Sequence, residues 1–286
     1  MRLIERYHLL RKRLSQSRDE REARNIALEL LVHVTGSPHK NAIFTAQNRN
    51  IDPAEETQLS IMEGRILEGE PMQYVLGWAY FDGLRLKVGP GVLIPRPETE
   101  ELIDHALRRI EKPVQVLDVG TGSGCIALAI QQRRPTARVE AWDIAHEALE
   151  IARQNARKLH LEVTFKAVDL LNPGQLRYGP PFFDLILSNP PYVLDHEWRN
   201  LEPHVRDHEP RSALVAHNTR SPLEVYDALL SLARERLAPG GWIGAELNPC
   251  FADGLAESFG KQLVQLEVVN DMNGHPRFIF GQKQGH

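Results

Sequence analysis

The chain has 286 residues and a formal net charge of −4, and its 42% apolar and 25% charged residues are typical of a globular protein, which excludes a disordered or fibrous one. Two cysteines, Cys125 and Cys250, exclude a disulfide framework, so a reducing, cytoplasmic location is expected. We expect no membrane span and no secretory signal, and the mild acidity argues against direct nucleic-acid binding through phosphates.

Residues 1–70 are predicted to form a small N-terminal helical domain. Apolar residues recur at helical spacing over residues 23–34, and Gly36 follows as a stop signal. A second helix is expected from Asp52, with a proline and a glutamate in its first turn. Two helices of this size need a further partner to bury their apolar sides. The charged first 24 residues are interpreted as a solvated surface or, alternatively, as a docking surface for a protein.

Residues 71–96 are predicted to be a β-hairpin connector. Apolar and aromatic residues from Tyr74 to Val88 are interrupted by Gly77 and Gly83, a pattern that indicates short strands and tight turns.

Residues 97–286 are predicted to form one α/β domain. Repeated β–α alternation predicts a doubly wound, mostly parallel, seven-stranded Rossmann-like sheet with helices on both faces. The last two strands have no obvious helix between them, which predicts a hairpin and one antiparallel strand. The predicted strands are Val114–Val119, Arg138–Asp143, Val163–Asp169, Phe183–Ser188, Gly241–Leu247, Val264–Val269 and Arg277–Phe280, and the predicted helices are Glu98–Ile110, Cys125–Arg134, His146–Leu159 and Pro222–Leu237.

The first parallel strand leads into a glycine-rich loop. Glycine lets the chain turn tightly and lets a ligand approach the backbone at the carboxyl end of a strand. The spacing is G-x-G-x-G and not the dinucleotide spacing G-x-G-x-x-G. A carboxylate before the loop suits a ligand with an ammonium and a sulfonium group, whereas it would repel a pyrophosphate. We therefore predict that S-adenosylmethionine is bound by Asp118, Gly120, Thr121, Gly122, Ser123 and Gly124.

Two further acids follow the next strands. Asp143 ends the second strand, where a carboxylate can accept hydrogen bonds from both ribose hydroxyls; the alternative is a cap for the next helix. Asp169 ends the third strand, where an adenine amino group could lie; the alternative is a loop carboxylate. Leu170 would then be an apolar wall for the adenine ring.

The fourth strand ends in Asn189-Pro190-Pro191-Tyr192, the most informative segment of the chain. Two prolines remove two N–H donors and stiffen the backbone, so the carbonyls of Asn189 and Pro190 can face a cleft beside the Asn189 side chain. Tyr192 offers a flat ring for a planar group. Acceptors on both N–H bonds of a planar NH2 favour a tetrahedral nitrogen, and no strong base is needed. We predict that these four residues bind the substrate and catalyse methyl transfer to such a nitrogen.

With these motifs the sequence resembles the peptide chain release factor N5-glutamine methyltransferases. The resemblance extends over nearly the whole chain, and residues 70–77 and the segment Ile94-Pro-Arg-Pro-Glu-Thr-Glu100 resemble the family's connector and its signature before the catalytic sheet. It implies methylation of the side-chain amide nitrogen, N5, of the glutamine in the Gly-Gly-Gln loop of peptide chain release factors. It also implies S-adenosyl-L-homocysteine as product and release-factor docking on the N-terminal helices.

The residues alone do not decide the methylation target or the roles of several other side chains. The tetrad also occurs in methyltransferases of DNA adenine and RNA guanine, so an exocyclic amine of nucleic acid, or a ribosomal-protein glutamine, is the alternative target. Arg96 is expected either to close over the cofactor carboxylate or to pair with a neighbour. His204 and His208 lack accompanying ligands, so no metal site is expected. The segment 215–220 departs from the family pattern and receives no role, and the chain is expected to act as a monomer.

Overall fold

The computed structural model describes residues 1–110, 112, 114–172, 182–216, 221 and 223–285. The chain divides into two compact units, Met1–Gly77 with Pro203–His208 and Trp78–Glu202 with Glu209–His286. The boundary after Gly77 falls within the segment 71–96, which we predict to be a connector. Most of the segment 215–220 and the first residue of the helix predicted from 222 lie outside the described residues.

Two kinds of feature are absent from the described part of the chain. None of its helices has the length and apolar composition that crossing a membrane requires. Nor do three or more of its His, Cys, Asp and Glu side chains come together in a group that could hold a metal ion.

Helices and strands are numbered in chain order. The helices are α1 (Leu3–Leu14), α2 (Glu20–Thr35), α3 (Lys40–Thr45), α4 (Pro53–Leu67), α5 (Met72–Leu76), α6 (Pro97–Arg109), α7 (Cys125–Arg133), α8 (His146–Leu159), α9 (Asp195–Trp198), α10 (Pro203–Arg206), α11 (Arg211–Leu214), α12 (Leu223–Arg236) and α13 (Ala252–Gly260). The strands are β1 (Trp78–Phe81), β2 (Leu84–Lys87), β3 (Gln115–Val119), β4 (Arg138–Asp143), β5 (Val163–Ala167), β6 (Phe183–Ser188), β7 (Leu237–Glu246), β8 (Val264–Asn270) and β9 (Pro276–Gln282).

The first unit is helical, and the predicted stop at Gly36 and the predicted capping box at Asp52 are both present. The carboxylate of Asp19 accepts two backbone N–H groups of the first turn of α2, and Gly36 ends that helix with a φ of 64°. Asp52 and Glu55 form the predicted capping box of α4. Helix α1 packs against α2 and supplies the further partner that two amphipathic helices need.

A buried ion pair joins α1 to α4 within this unit. Arg6 is 1% exposed and donates to Glu63 over 2.7 Å and to Glu56 over 2.9 Å. Glu63 is 3% exposed and also accepts from Arg13 over 3.2 Å. Removing one member of such a pair leaves a buried charge uncompensated, so Arg6 and Glu63 depend on each other.

The connector differs in part from the prediction of short strands. Met72–Leu76 is a helix, since Pro71 has the fixed φ that suits a helix start, and Tyr74, Val75 and Leu76 are buried in succession and not alternately. That helix ends at Gly77, with a φ of 76°. Only β1 and β2 form the predicted antiparallel hairpin, which turns at Asp82 and Gly83, both of positive φ.

The second unit contains a mostly parallel seven-stranded sheet with the strand order β5-β4-β3-β6-β7-β9-β8. Strand β9 runs antiparallel to both β7 and β8. The predicted fold class, a doubly wound Rossmann-like sheet with a closing hairpin, is confirmed. The strand order reverses beside β3, and ligands of such sheets bind in the crevice at this point.

The observed elements differ from the predicted ones in several details, of which three are the largest or the easiest to explain. Strand β5 ends at Ala167 and does not reach Asp169. Strand β7 begins at Leu237, earlier than the predicted Gly241, because a bulge in its pairing with β6 accommodates extra residues. Helix α13 has no predicted counterpart, since its two glycines weaken the local helical signal.

Helices cover both faces of the sheet. Val116 of β3 and Leu185 of β6 lie in a core cluster with α6 and α7, whereas Leu117 and Ile186 lie in a second cluster with α12 and α13. Because alternate strand residues face opposite sides, a slip by one residue would exchange the two sets. Packing of the two core clusters therefore determines the positions of the carboxyl ends of β3 and β6.

The outer edge strand β8 is irregular. Its register with β9 shifts between Val264 and Glu267 and again between Val269 and Asn270. Gln265, inside the first shift, has a φ of 48°. Such bulges bend a strand and increase its local twist.

Candidate active site

A cavity of about 300 Å³ lies at the carboxyl ends of β3, β4 and β6. It is the crevice expected where the strand order reverses. Its lining includes ten of the predicted site residues, which are Gly120, Thr121, Gly122, Ser123, Asp143, Asp169, Leu170, Asn189, Pro190 and Pro191. Asp118, Gly124 and Tyr192 lie next to lining residues but are not part of the lining.

The glycine loop forms one wall of the cavity, and each of its three glycines has a positive φ. The N–H groups of Gly120 and Thr121 donate to the carbonyl of Trp142, which ties the loop to the end of β4. A Cβ on Gly124 would lie 3.1 Å from a Leu128 methyl carbon and 3.2 Å from the Cβ of Ala152. Gly124 thus allows the start of α7 to lie close to Ala152 of α8, whereas Gly120 and Gly122 leave their backbone accessible to a ligand.

Asp143 holds the loop from the neighbouring strand. Its Oδ2 accepts from the Gly122 N–H over 2.8 Å and its Oδ1 accepts from the Ala145 N–H over 2.9 Å. Burial raises the pKa of this carboxyl group, and the two backbone N–H groups oppose that rise. Each oxygen retains a second acceptor position, which suits a ligand with two hydroxyls.

Asp118 lies fully buried beneath the loop. Its Oδ2 accepts from the Thr121 hydroxyl over 2.6 Å and from the Ala127 N–H over 3.2 Å. Burial raises its pKa to about 7. Its Oδ1 and the hydroxyl of Ser123 have no partner among the described residues. Asp118 therefore fixes the loop, and its direct contact with a cofactor stays a prediction.

The far side of the cavity is apolar. Ile144 follows Asp143, is 63% exposed, and lines the cavity with Val168 and Leu170. Asp169 forms a local turn in which its Oδ1 accepts from the Leu171 N–H over 2.9 Å. The cavity suits S-adenosylmethionine, because the glycine loop and the Asp143 carboxylate offer polar groups and the apolar side offers a surface for the flat adenine ring.

The Asn189-Pro190-Pro191 corner faces the glycine loop. A Cβ added to Gly120 would lie 3.9 Å from the carbonyl oxygen of Asn189. The two strand ends are tied together as well, since the Ser188 hydroxyl donates to the carbonyl of Val119 over 2.8 Å. The Asn189 Nδ2 donates to Thr99 Oγ1 over 3.1 Å. Corner and loop thus share one cavity.

Tyr192 has a different environment from its three neighbours in the tetrad. Its ring packs against the core cluster on the α12 side of the sheet. Its hydroxyl lies 3.5 Å from Glu246 Oε2 and 3.5 Å from the Arg277 guanidinium. Burial raises the pKa of the Tyr192 hydroxyl well above its ordinary value. Stacking of this ring on a planar substrate group stays a prediction.

Sequence reasoning missed three residues near the corner. Thr99 in the first turn of α6 and Glu246 at the end of β7 are each 1% exposed and hydrogen-bonded to each other. Glu209 accepts from the Ile94 N–H over 3.0 Å and from Arg96, so Arg96 pairs with a neighbouring acid. An acid inside an otherwise apolar strand was the available signal for Glu246, because buried carboxylates are uncommon away from functional sites.

Comparisons with solved structures agree with the observed fold. A methyltransferase from Pyrococcus furiosus has a TM-score of 0.54 at 21% identity, covering 79% of this chain and 100% of that one. A Thermus thermophilus 16S rRNA methyltransferase in complex with AdoMet and guanosine has a TM-score of 0.51 at 20% identity, covering 72% of this chain and 50% of that one. These likenesses show the fold alone.

Sequence comparisons are more specific. The family model described as Methyltransferase small domain matches residues 99–202. The chain is 37% identical to the release factor glutamine methyltransferase of Bacteroides thetaiotaomicron, over 83% of this chain and 84% of that protein. It is 37% identical to the one of Koribacter versatilis over 90% and 91%, and 40% identical to the one of Chlorobaculum tepidum over 72% of both. The chain belongs to the release factor glutamine methyltransferase family.

Proposed function

We propose that this chain transfers a methyl group from S-adenosyl-L-methionine to the side-chain amide nitrogen, N5, of the glutamine in the Gly-Gly-Gln loop of peptide chain release factors, with S-adenosyl-L-homocysteine as product. Membership in the family supports the reaction, and the names of the relatives support the substrate. The observation on which the chemistry depends is the shared cavity of the glycine loop and the Asn189 corner.

The residues of the corner act on the amide nitrogen. S-adenosylmethionine, when bound, supplies an electrophilic methyl group on a sulfonium. An amide nitrogen is a poor nucleophile because its lone pair is delocalised. Asn189 Oδ1 and a main-chain carbonyl of the corner accept its two hydrogens, which favours the tetrahedral nitrogen that carries a free lone pair. Pro190 and Pro191 bring no N–H that would compete for these acceptors.

The remaining residues have supporting roles in this proposal. Gly120, Thr121, Gly122 and Asp143 would hold the cofactor, with Ile144 and Leu170 beside its adenine. No strong base is needed, because the amide nitrogen becomes cationic and acidic on gaining the methyl group and can pass its proton to water. The amide proton is lost after the N–C bond has formed.

The division of labour along the chain is also proposed. Residues 1–70 would dock the release factor, residues 71–96 would connect, and residues 97–286 would carry catalysis, with the chain acting in the cytoplasm as a monomer and without direct contact to nucleic acid. Exposed charged side chains on α1, such as Lys12 and Arg13, support a docking role for the helices. Methylation of a nucleic-acid amine or of a ribosomal-protein glutamine is not favoured, because the relatives at 37–40% identity carry the release-factor name.

Labelled S-adenosylmethionine tests the proposal directly. The chain is incubated with a class 1 release factor, and mass spectrometry locates the added methyl group. Label is expected on the Gly-Gly-Gln glutamine and is expected to vanish when that glutamine is replaced by alanine. Asn189→Ala should abolish most labelling, whereas Asn270→Ala, an exposed change on the outer strand, should not. An unlabelled release factor beside a labelled positive control would contradict the proposal, and label on RNA instead would support the alternative target.

A further inference from the structure

Three polar side chains from three distant parts of the sequence form one hydrogen-bond chain at the corner. Asn189 Nδ2 donates to Thr99 Oγ1 over 3.1 Å, and the Thr99 hydroxyl in turn donates to Glu246 Oε1. Thr99 lies in the first turn of α6, Asn189 follows β6, and Glu246 ends β7. Thr99 and Glu246 are each 1% exposed, whereas Asn189 borders the cavity.

The direction of this chain follows from the number of hydrogens that each group carries. An ionised carboxylate only accepts, so it takes the single hydrogen of the Thr99 hydroxyl. The Thr99 oxygen can then only accept from Asn189, which must present its NH2 group and not its carbonyl oxygen. Asn189 Oδ1 consequently points the other way, and no donor among the described residues uses it.

We propose that Thr99 and Glu246 are positioning residues that lock the Asn189 amide with its oxygen towards the substrate nitrogen. The identity of that substrate rests on the function proposed above. In the flipped orientation Asn189 would offer N–H groups to the N–H groups of an amide, and the acceptor needed for methyl transfer would be lost. The lock is needed because both orientations of a carboxamide have nearly the same shape.

The surroundings of Glu246 make the lock sensitive to pH. Arg277, Glu98 and the Tyr192 hydroxyl face its carboxylate, and the Tyr226 hydroxyl donates to its main-chain carbonyl over 2.8 Å. Burial raises the pKa of Glu246 to about 7, against the Thr99 hydroxyl and Arg277, which lower it. A protonated Glu246 can donate to Thr99, which frees the Thr99 hydrogen and allows the Asn189 amide to flip. Activity should therefore fall as the pH decreases through about 7 and should recover above it.

Variants of Thr99 test the lock through steady-state kinetics. Thr99→Val keeps the shape and removes the hydroxyl, so kcat should fall about 10- to 100-fold while the KM for the release factor and the Kd for S-adenosylmethionine stay close to wild type. Thr99→Ser keeps the hydroxyl and should restore most of kcat. Thr164→Val makes the same chemical change at an exposed position of β5 and should have no effect. Glu246→Gln should lower kcat and reduce the loss of activity on the acid side, where Asp118, whose pKa is also about 7, accounts for the remainder.

A spectroscopic measurement does not depend on turnover. The side-chain NH2 signal of Asn189, assigned by its loss in Asn189→Ala, should titrate with a midpoint near the Glu246 pKa of about 7 in wild type and should not titrate in Glu246→Gln. If wild type fails to methylate a release factor, the proposed function fails, while this signal still reports on the lock. Wild-type kcat in Thr99→Val, equal losses in Thr99→Val and Thr99→Ser, or a pH-independent Asn189 signal would each overturn the proposal.

Discussion

Replacing Gly124 by alanine should destabilise the protein more than the same replacement at Gly122, although both glycines have positive φ, 86° and 54° respectively. An alanine in the left-handed region costs about 1–2 kcal/mol at either position. A Cβ at Gly122 has nothing within 4 Å, whereas one at Gly124 would lie 3.1 Å from Leu128 and 3.2 Å from Ala152. Overpacking of that kind costs a further 1–3 kcal/mol or so, which gives about 2–5 kcal/mol for Gly124→Ala.

Thermal unfolding of the full chain measures the difference. The relevant transition is the one that S-adenosylmethionine raises, and at about 2–4 °C per kcal/mol the Tm should fall by about 5 °C for Gly122→Ala and by about 10 °C for Gly124→Ala. Calorimetry should then show weaker cofactor binding for Gly122→Ala, because an alanine strained at positive φ should shift the backbone N–H that holds Asp143 within the cavity wall. Equal losses of Tm, or a larger loss at Gly122, would refute the reasoning from the Leu128 and Ala152 contacts.

Three other substitutions have definite expected outcomes. Asn189→Ala should lower kcat on the order of 100-fold, because the acceptor that it removes acts in the transition state. Calorimetry should show a Kd for S-adenosylmethionine within a few-fold of wild type. Near-normal turnover with weaker cofactor binding would contradict that role. Tyr192→Phe should keep most of the activity, because the hydroxyl lies as far as 3.5 Å from both of its polar neighbours and its hydrogen bonds are weak. An activity loss as large as that of Tyr192→Ala would show that the hydroxyl matters more than the ring. Glu63→Ala should cost about 3 kcal/mol in the first unit, the low end for breaking a buried pair, because the buried Arg6 keeps only the half-exposed Glu56 as a partner. Limited proteolysis of that unit should become faster, whereas Glu20→Ala in an exposed pair should change little, and equal rates would argue against the buried pair.

Local patterns predicted most of the fold and placed the glycine loop and the Asn189 corner at one edge of the sheet. Strands β3 and β6 are apolar runs that end in distinctive polar segments, and the carboxyl ends of neighbouring parallel strands share one edge of a sheet. The meeting of Gly120 with Asn189 followed from that rule. The family resemblance, now confirmed, added the reaction and the target, which no spacing in the sequence could supply.

Contacts that depend on the strand order cannot be predicted from local sequence patterns. Thr99 and Glu246 are 147 positions apart and meet only because α6 begins beside the end of β7. Nothing in the sequence around either residue indicates that distance. The same limit applies to Met72–Leu76, where five residues, four of them apolar, have no periodicity long enough to distinguish helix from strand.

The bulge of β8 around Gln265 affects the tendency of the enzyme to aggregate at high concentration. An outermost strand exposes a row of unused N–H and C=O groups that can recruit a strand from another molecule. The shifted register around Gln265 and the charge of Glu267 break this row before it is long and flat enough to serve as a template. Deleting Gln265 to restore a regular edge should therefore favour aggregation through sheet extension, even though the catalytic cavity lies at the ends of β3, β4 and β6, away from this edge.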